Sequence, residues 1–385
     1  MLLLALLLLA APQPLSLADA LAIATQQNPD VAAARLNVRV AEAGIQTAGQ
    51  FANPTVTGSY GPDTPTWIGT VDLKVPVLGQ RGTAVAAAER ERDTARAEVA
   101  TRELTVQAAV RRAYFALAAA QAQARFAAEA TQRAAELEQL STKKFETGSA
   151  PRLEVEQAAV TRRQAEQDQI DREAATGSAQ AELGRLLGLE GELLAREPLL
   201  PIPAAPPLEQ LIERSARHPE VQTFRRQQDA ALARAQRERA AVRPVHLNVA
   251  FQRGGDGSGQ RYTLGLELPI FNWNGGRIGA EVAQAEIASA QAAAAERRLR
   301  GEIRAARARW EAASRRARAY ADELVPASLR LLAMARTGYE LGRAPLISVL
   351  QAQGEVTAAR VKGVDAANEA QKAFADLEEA AGETF

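Results

Sequence analysis

Phe145-Glu-Thr-Gly148-Ser-Ala-Pro151 recurs 194 residues later as Tyr339-Glu-Leu-Gly342-Arg-Ala-Pro345. In each copy Gly stands where a long helix can end in a left-handed cap, and three residues on Pro stands where the next helix can begin. Each stretch is therefore the tip of a helical hairpin. The residues beyond the tips also match: Leu153, Val155, Gln157 and Ala158 in the first copy, Ile347, Val349, Gln351 and Ala352 in the second. The offset is about half of 385, so the chain reads as one unit written twice.

Working outward from the first tip, Thr83 to Phe145 contains no proline or glycine and is dominated by Ala, Arg, Glu and Gln. It predicts a single helix of roughly 60 residues, on the order of 90 Å long. Val99, Val106, Val110, Ala113, Leu117, Ala120, Ala124 and Ala127 form a seam of small residues along it at coiled-coil spacing. Leu153 to about Leu189 returns antiparallel. In the second half a rod from about Gly276 to Tyr339 carries the matching seam Leu299, Ile303, Ala306, Trp310, Ala313, Ala317, Tyr320 and Leu324, with a kink expected at Pro326. Leu346 to Ala381 is the last helix. Upstream of each rod lies another shared opening, a short helix ending at Asn28-Pro29-Asp-Val31 and at His218-Pro219-Glu-Val221. Five prolines between Glu197 and Pro207 make an extended linker.

Between each opening and its rod the period changes to two. Strands are expected at about 53–61, 67–78, 244–253 and 261–271. Trp67, Val71, Leu73, Val75 and Val77 share one face, and Thr70, Asp72 and Lys74 the other; His246, Asn248, Gln252, Thr263 and Glu267 form the polar face of the second pair. Four such strands have the length and alternation of a transmembrane β-barrel but are too few to close one. An open edge in lipid costs several kcal/mol per unpaired backbone group. Copies would have to share the barrel, eight strands from two chains or twelve from three. Periodicity alone is equally compatible with a soluble four-stranded sheet carried on a coiled coil.

Composition narrows the function. There are 46 basic and 46 acidic residues, hence no basic footprint for nucleic acid. There is no cysteine, which removes disulfides, thiolate nucleophiles and cysteine metal sites. His218 and His246 are the only histidines and Met is down to two, so no metal-ligand cluster, catalytic triad or phosphate loop can be assembled, and neither a cofactor nor enzyme chemistry is expected. Leu2 to Ala11 is an apolar run too short to span a bilayer and suited to a secretory leader over residues 1–14. No Lys or Arg precedes it, so a basic n-region is expected upstream of the present start. A buried helical turn is the other reading of this run. The expected organisation is then a first repeat over 15–196, the linker over 197–207 and a second repeat over 208–385.

Taken together, the Leu17-x-x-Ala-Leu to Asn28-Pro29 opening, both Gly-x-x-Pro tips, the strand pairs and the duplicated order over about residues 15 to 380 resemble the TolC family of outer-membrane efflux factors. Val75-Pro-Val-Leu-Gly79-Gln-Arg81-Gly82 and Leu268-Pro-Ile-Phe-Asn-Trp-Asn274-Gly275-Gly276 are most similar to its cobalt-zinc-cadmium resistance branch. The resemblance implies a mainly helical chain that forms a homotrimer. A shared twelve-stranded β-barrel would sit in outer-membrane lipid, and a helical barrel would cross the periplasm. It further implies a periplasmic adaptor and an inner-membrane pump of the RND type as partners, and passive export of heavy-metal cations. A multidrug or type I secretion channel of the same fold, or a soluble periplasmic adaptor or scaffold, is the alternative.

The same resemblance supplies site residues. Glu154 falls at the first-half gate carboxylate and Tyr339 at the aromatic residue paired with it. The second-half acidic positions read Ser348 and Gln351, and a gate arginine aligns with Ala344, beside Arg343. Three copies of Glu154, helped by Glu156, would line a constriction that favours cations. Gly148, Pro151 and Arg152 at one tip, and Gly342, Arg343 and Pro345 at the other, are expected to shape the turns and meet the adaptor.

Overall fold

The computed structural model describes residues 13–61, 66–76, 78–242, 246–254, 260–266 and 271–385. The expected leader over 1–14 lies outside them except for Gln13 and Pro14, which join Leu15 in strand β1 (Gln13–Leu15). Helices α1 (Leu17–Gln27), α2 (Pro29–Gly49), α3 (Gln80–Glu146), α4 (Arg152–Leu187), α5 (Leu208–Arg214), α6 (Pro219–Ala241), α7 (Gly275–Ala319), α8 (Val325–Glu340) and α9 (Leu346–Ala381) dominate. Five further short strands complete the fold: β2 (Thr55–Gly61), β3 (Thr66–Pro76), β4 (Leu193–Ala195), β5 (His246–Gly254) and β6 (Gln260–Leu266). No described helix is long and apolar enough to cross a membrane.

The chain divides into two compact units, each drawing on both halves of the sequence. One comprises 1–32, 103–215 and 299–385, the other 33–102 and 216–298. Helices α3 and α7 contribute to both.

In the first unit the entry helix breaks before Pro29 as the sequence predicts. Ser16 caps α1, its Oγ accepting from Asp19 N at 3.1 Å. Asn28 closes α1 and opens α2 at once: its Oδ1 accepts from Asp30 N at 2.9 Å, and its Nδ2 donates to the Leu186 carbonyl at 3.0 Å. This amide ties the break at Pro29 to the end of α4. The core is the small-residue seam: Val106, Val110, Ala113 and Leu117 of α3 are buried with Ala313 and Ala317 of α7, and Ala366, Ala367 and Ala370 of α9. Alanines let helix axes approach closely, and fully buried Leu117, Leu183 and Leu187 add about 1.5–3 kcal/mol each.

One small sheet was absent from the expectations. Strand β1 pairs parallel with β4 through Gln13↔Leu193, Pro14↔Leu194 and Leu15↔Ala195. Three-residue strands carry too little alternation to show a period. The pairing is fixed by Tyr114, fully buried on α3, whose hydroxyl donates to the Leu15 carbonyl at 2.9 Å. It accepts from Arg196 N at 2.9 Å and Glu197 N at 3.0 Å. Tyr114→Phe leaves Glu197 N without this acceptor, while Arg196 N keeps its bond to the Leu15 carbonyl at 3.1 Å; it is expected to lower stability by about 1–3 kcal/mol, read as a shift of the urea midpoint in detergent.

The second rod is not one uninterrupted α-helix. A π-helical turn over Tyr320–Leu324 separates α7 from α8, with Val325 N donating to the Tyr320 carbonyl five residues back. Pro326 lacks an N–H and crowds the carbonyl four residues before it; the wider turn relieves that crowding. The extra residue rotates the rest of the rod by about 100°, so the seam ends at Tyr320. Leu324, expected on it, is 49% exposed.

In the second unit α6 and the leading parts of α3 and α7 bury alanines, including Ala87, Ala230, Ala231, Ala235, Ala285 and Ala288. Arg234 links helices by bonding Glu281 at 2.8 Å and Glu91 at 3.6 Å. His218 proves to be a cap, its Nδ1 accepting from Glu220 N at 3.2 Å, the role Asn28 fills in the first half. The sheet has the order β2-β3-β5-β6, all antiparallel. Its register aligns Val56, Val71, Phe251 and Tyr262 in one row and Leu73, Val249 and Leu264 in the next. The interleaved rows are Thr57, Thr70, Gln252 and Arg261, then Thr55, Asp72, Ala250 and Thr263. One face is apolar and the other polar, and Val56 and Val71 are exposed. Strands β2 and β6 are the edges, and their outer sides pair with no strand among the described residues. Of the expected strands, Val77, residues 244–245 and residues 267–270 lie outside the described residues, and Glu267 with them.

Candidate functional site

Both hairpin tips turn by the same local chemistry. Gly148 has φ +73° and Gly342 φ +71°, values an L side chain rarely adopts. At the first tip Gly148 N donates to the Phe145 carbonyl at 2.9 Å and Ser149 N to the Lys144 carbonyl at 2.7 Å. At the second, Gly342 N donates to Tyr339 O at 3.0 Å and Arg343 N to Gly338 O at 2.8 Å. This is the double bond of a Schellman cap, which satisfies the last carbonyls of α3 and α8. Pro151 and Pro345 then take extended conformations and start α4 and α9. Gly148, Pro151, Gly342 and Pro345 are thus accounted for by the turn itself.

The tips meet at Tyr339, only 3% exposed. Its ring lies among Leu137, Ala158, Leu346 and Val349, which come from α3, α4 and α9. Its hydroxyl donates to Glu154 Oε2 at 2.8 Å and lies 3.4 Å from Ser141 Oγ. Lys144 Nζ sits 4.1 Å from the ring centre and donates to the Tyr339 carbonyl. Burial, together with the neighbouring Glu154 carboxylate, raises the phenol above its ordinary value. The hydroxyl therefore keeps its proton across physiological pH and stays a donor. Glu154 is half-buried. A charge-assisted hydrogen bond thus fastens hairpin one to hairpin two, 185 residues apart in sequence.

Of the expected gate set, Glu154 and Tyr339 are brought together. Ser348 lies in the first turn of α9, half-buried, its N–H bonding the Pro345 carbonyl at 3.1 Å. Gln351 is exposed on the same helix. Arg152 and Glu156 are both exposed and face each other at 3.7 Å, so Glu156 is engaged by Arg152 one turn before it, about 200° around α4 from Glu154. Arg343 is exposed. Sequence reasoning missed Lys144 and Ser141, although both break the repeat: at the 194-residue offset their positions read Gly338 and Ala335. It also missed Gly338, where an added Cβ would stand 3.1 Å from Ala344 Cβ. Among the described residues no group of three or more His, Cys, Asp or Glu could hold a metal ion.

A family model described as outer membrane efflux protein matches residues 20–189 and 212–383. The cobalt-zinc-cadmium resistance protein CzcC of Cupriavidus metallidurans is 24% identical over 357 residues, covering 91% of this chain and 85% of that protein. A crystal structure of CusC superposes with a TM-score of 0.73 at 20% identity, over 96% of this chain and 92% of that one. The outer membrane protein VceC of Vibrio cholerae does so at 0.74 and 20%, over 96% of both chains.

Proposed function

The chain belongs to the outer membrane efflux protein family, and on that footing we propose that it is the trimeric conduit of a tripartite system that exports heavy-metal cations. It is an efflux channel of the outer membrane that reaches into the periplasm. A periplasmic adaptor and an inner-membrane pump of the RND type are its proposed partners; the pump supplies the energy and the channel performs no chemical step.

The observation that carries this reading is the incomplete sheet. Four strands with an apolar and a polar face end in two edges unpaired among the described residues, and in lipid those edges need further strands. Three copies supply twelve, enough for an aqueous lumen on the polar face. The metal cargo rests on the resistance relative, together with the Glu154 carboxylate at the joint between the tips. Three carboxylates around one axis attract cations and repel anions. The polar tips Arg152 and Arg343 are the proposed adaptor contacts.

Planar-bilayer recording tests the entrance. Glu154→Gln removes one charge from each protomer, so cation over anion permeability is expected to fall several-fold; an unchanged reversal potential under a salt gradient would refute the carboxylate ring. Cargo is tested by growth of a deletion strain on cobalt, zinc, cadmium and a drug panel. Metal sensitivity that the gene reverses supports the assignment, whereas sensitivity to drugs alone replaces it with a multidrug channel.

A further inference from the structure

Gly148 and Gly342 fix the internal correspondence: residue n of the first half matches residue n + 194 of the second. The joint at Tyr339 joins hairpin one to hairpin two within a chain. Applying the correspondence to that joint generates a second one, which a single chain cannot make because hairpin one must then come from another copy.

The residues left over at the tips fit that second joint. Tyr339 corresponds to Phe145, which is 44% exposed where Tyr339 is 3% exposed. Buried Leu137 corresponds to Leu331, 46% exposed, and half-buried Leu140 corresponds to Met334, 66% exposed. Three large apolar side chains are thus bare at the positions whose counterparts form the Tyr339 cluster.

The chemistry is matched as well. Around the Tyr339 hydroxyl stand Glu154 and Ser141, and over its ring stands Lys144. Their counterparts are Ser348, Ala335 and Gly338. A phenol needs an acceptor and has one; Phe145 needs none and meets small, uncharged residues. Gly338 also leaves open the ring face that Lys144 covers at the first joint.

Resting on the trimeric reading above, we infer that Phe145 of one protomer seats in a slot of the next, floored by Gly338 and Ser348 and walled by Leu331 and Met334. The entrance is then closed by two unlike joints: a charge-assisted hydrogen bond inside each protomer and an apolar contact between protomers. Salt weakens the first and leaves the second in place. Apolar burial of this kind is the usual filling of an interface centre.

The chain has no cysteine, so thiol cross-linking is clean. Gly338 is left alone, because a side chain there collides with Ala344. Phe145→Cys and Ser348→Cys are placed on separate, differently tagged copies, co-expressed, and treated in membranes with a bismaleimide long enough to span a tyrosine-to-glutamate contact. Covalent dimers carrying both tags are expected. Chains carrying both substitutions should give species of two and three chains, while Glu154→Cys with Tyr339→Cys should link within one chain. Native mass spectrometry of the untreated protein separates the two levels of inference. A trimer without doubly tagged dimers overturns the Phe145 contact alone; a monomer overturns the trimeric conduit and the contact with it.

Discussion

Tyr339→Phe is expected to raise the open probability of the reconstituted channel about tenfold per protomer. The hydroxyl is the only part of the side chain removed, and the ring keeps its place under Lys144 and against Leu137 and Leu346. What is lost is one hydrogen bond to a carboxylate, worth about 1.5–3 kcal/mol. The half-exposed Glu154 puts the value at the low end, and about 1.4 kcal/mol is a factor of ten. Three protomers lose it together, so the shift for the whole entrance is larger. Single-channel recording reads the result directly, and an open probability equal to that of the native protein would show that Tyr339 packs without latching. Glu154→Gln should fall between the two, because the amide still accepts the hydroxyl but carries no charge. Raising ionic strength should mimic it weakly, since a half-exposed pair is only partly screened.

Glu378→Ala is expected to cost about 3–5 kcal/mol of folding stability. Arg111 and Glu378 face each other at 2.7 Å with side chains 11% and 4% exposed, on α3 and α9 of one unit. The guanidinium also lies over the Phe374 ring at 5.5 Å, and Phe385 N donates to Glu378 Oε1 at 2.8 Å. Deleting the carboxylate leaves a buried, uncompensated cation. Burial pushes the Glu378 carboxyl above its ordinary value even though Arg111 pulls it down. Desolvation therefore outweighs attraction at this pair, and an apolar replacement of both partners is expected to be near neutral.

The raised value also sets a pH dependence. At acid pH below the ordinary carboxylate range Glu378 is protonated in folded and unfolded chains alike. As pH rises, the unfolded chain releases its proton first, so this group's contribution to stability falls until the raised folded value is passed and is constant thereafter. The urea midpoint of the native protein relative to Glu378→Gln should decline across that window. A difference that rises with pH instead would show that Arg111 holds the folded carboxyl below its unfolded value.

Much of the architecture is legible in the chain because its signals are local. A left-handed glycine followed by proline three residues later is a hairpin tip wherever it occurs, and both tips fold as read, down to matched φ angles. The absence of proline and glycine from Thr83 to Phe145 gives the long α3, and the alternation in 246–254 and 260–266 gives paired strands. The joint between Glu154 and Tyr339 was available only through resemblance, since nothing within a few residues of either says that they touch.

What the sequence alone determined is the set of parts: their periods, their caps, their duplication, and a sheet too small to close. Tertiary structure decided which faces meet. It placed Lys144 over Tyr339, set Tyr114 as the clasp of a three-residue sheet, and inserted a π turn before Pro326 that turned Leu324 outward. The reason is range. Caps and periods are written in contacts a few residues apart, whereas these arrangements join residues from about 80 to 200 positions away, or arise from one added residue whose rotation every later side chain inherits.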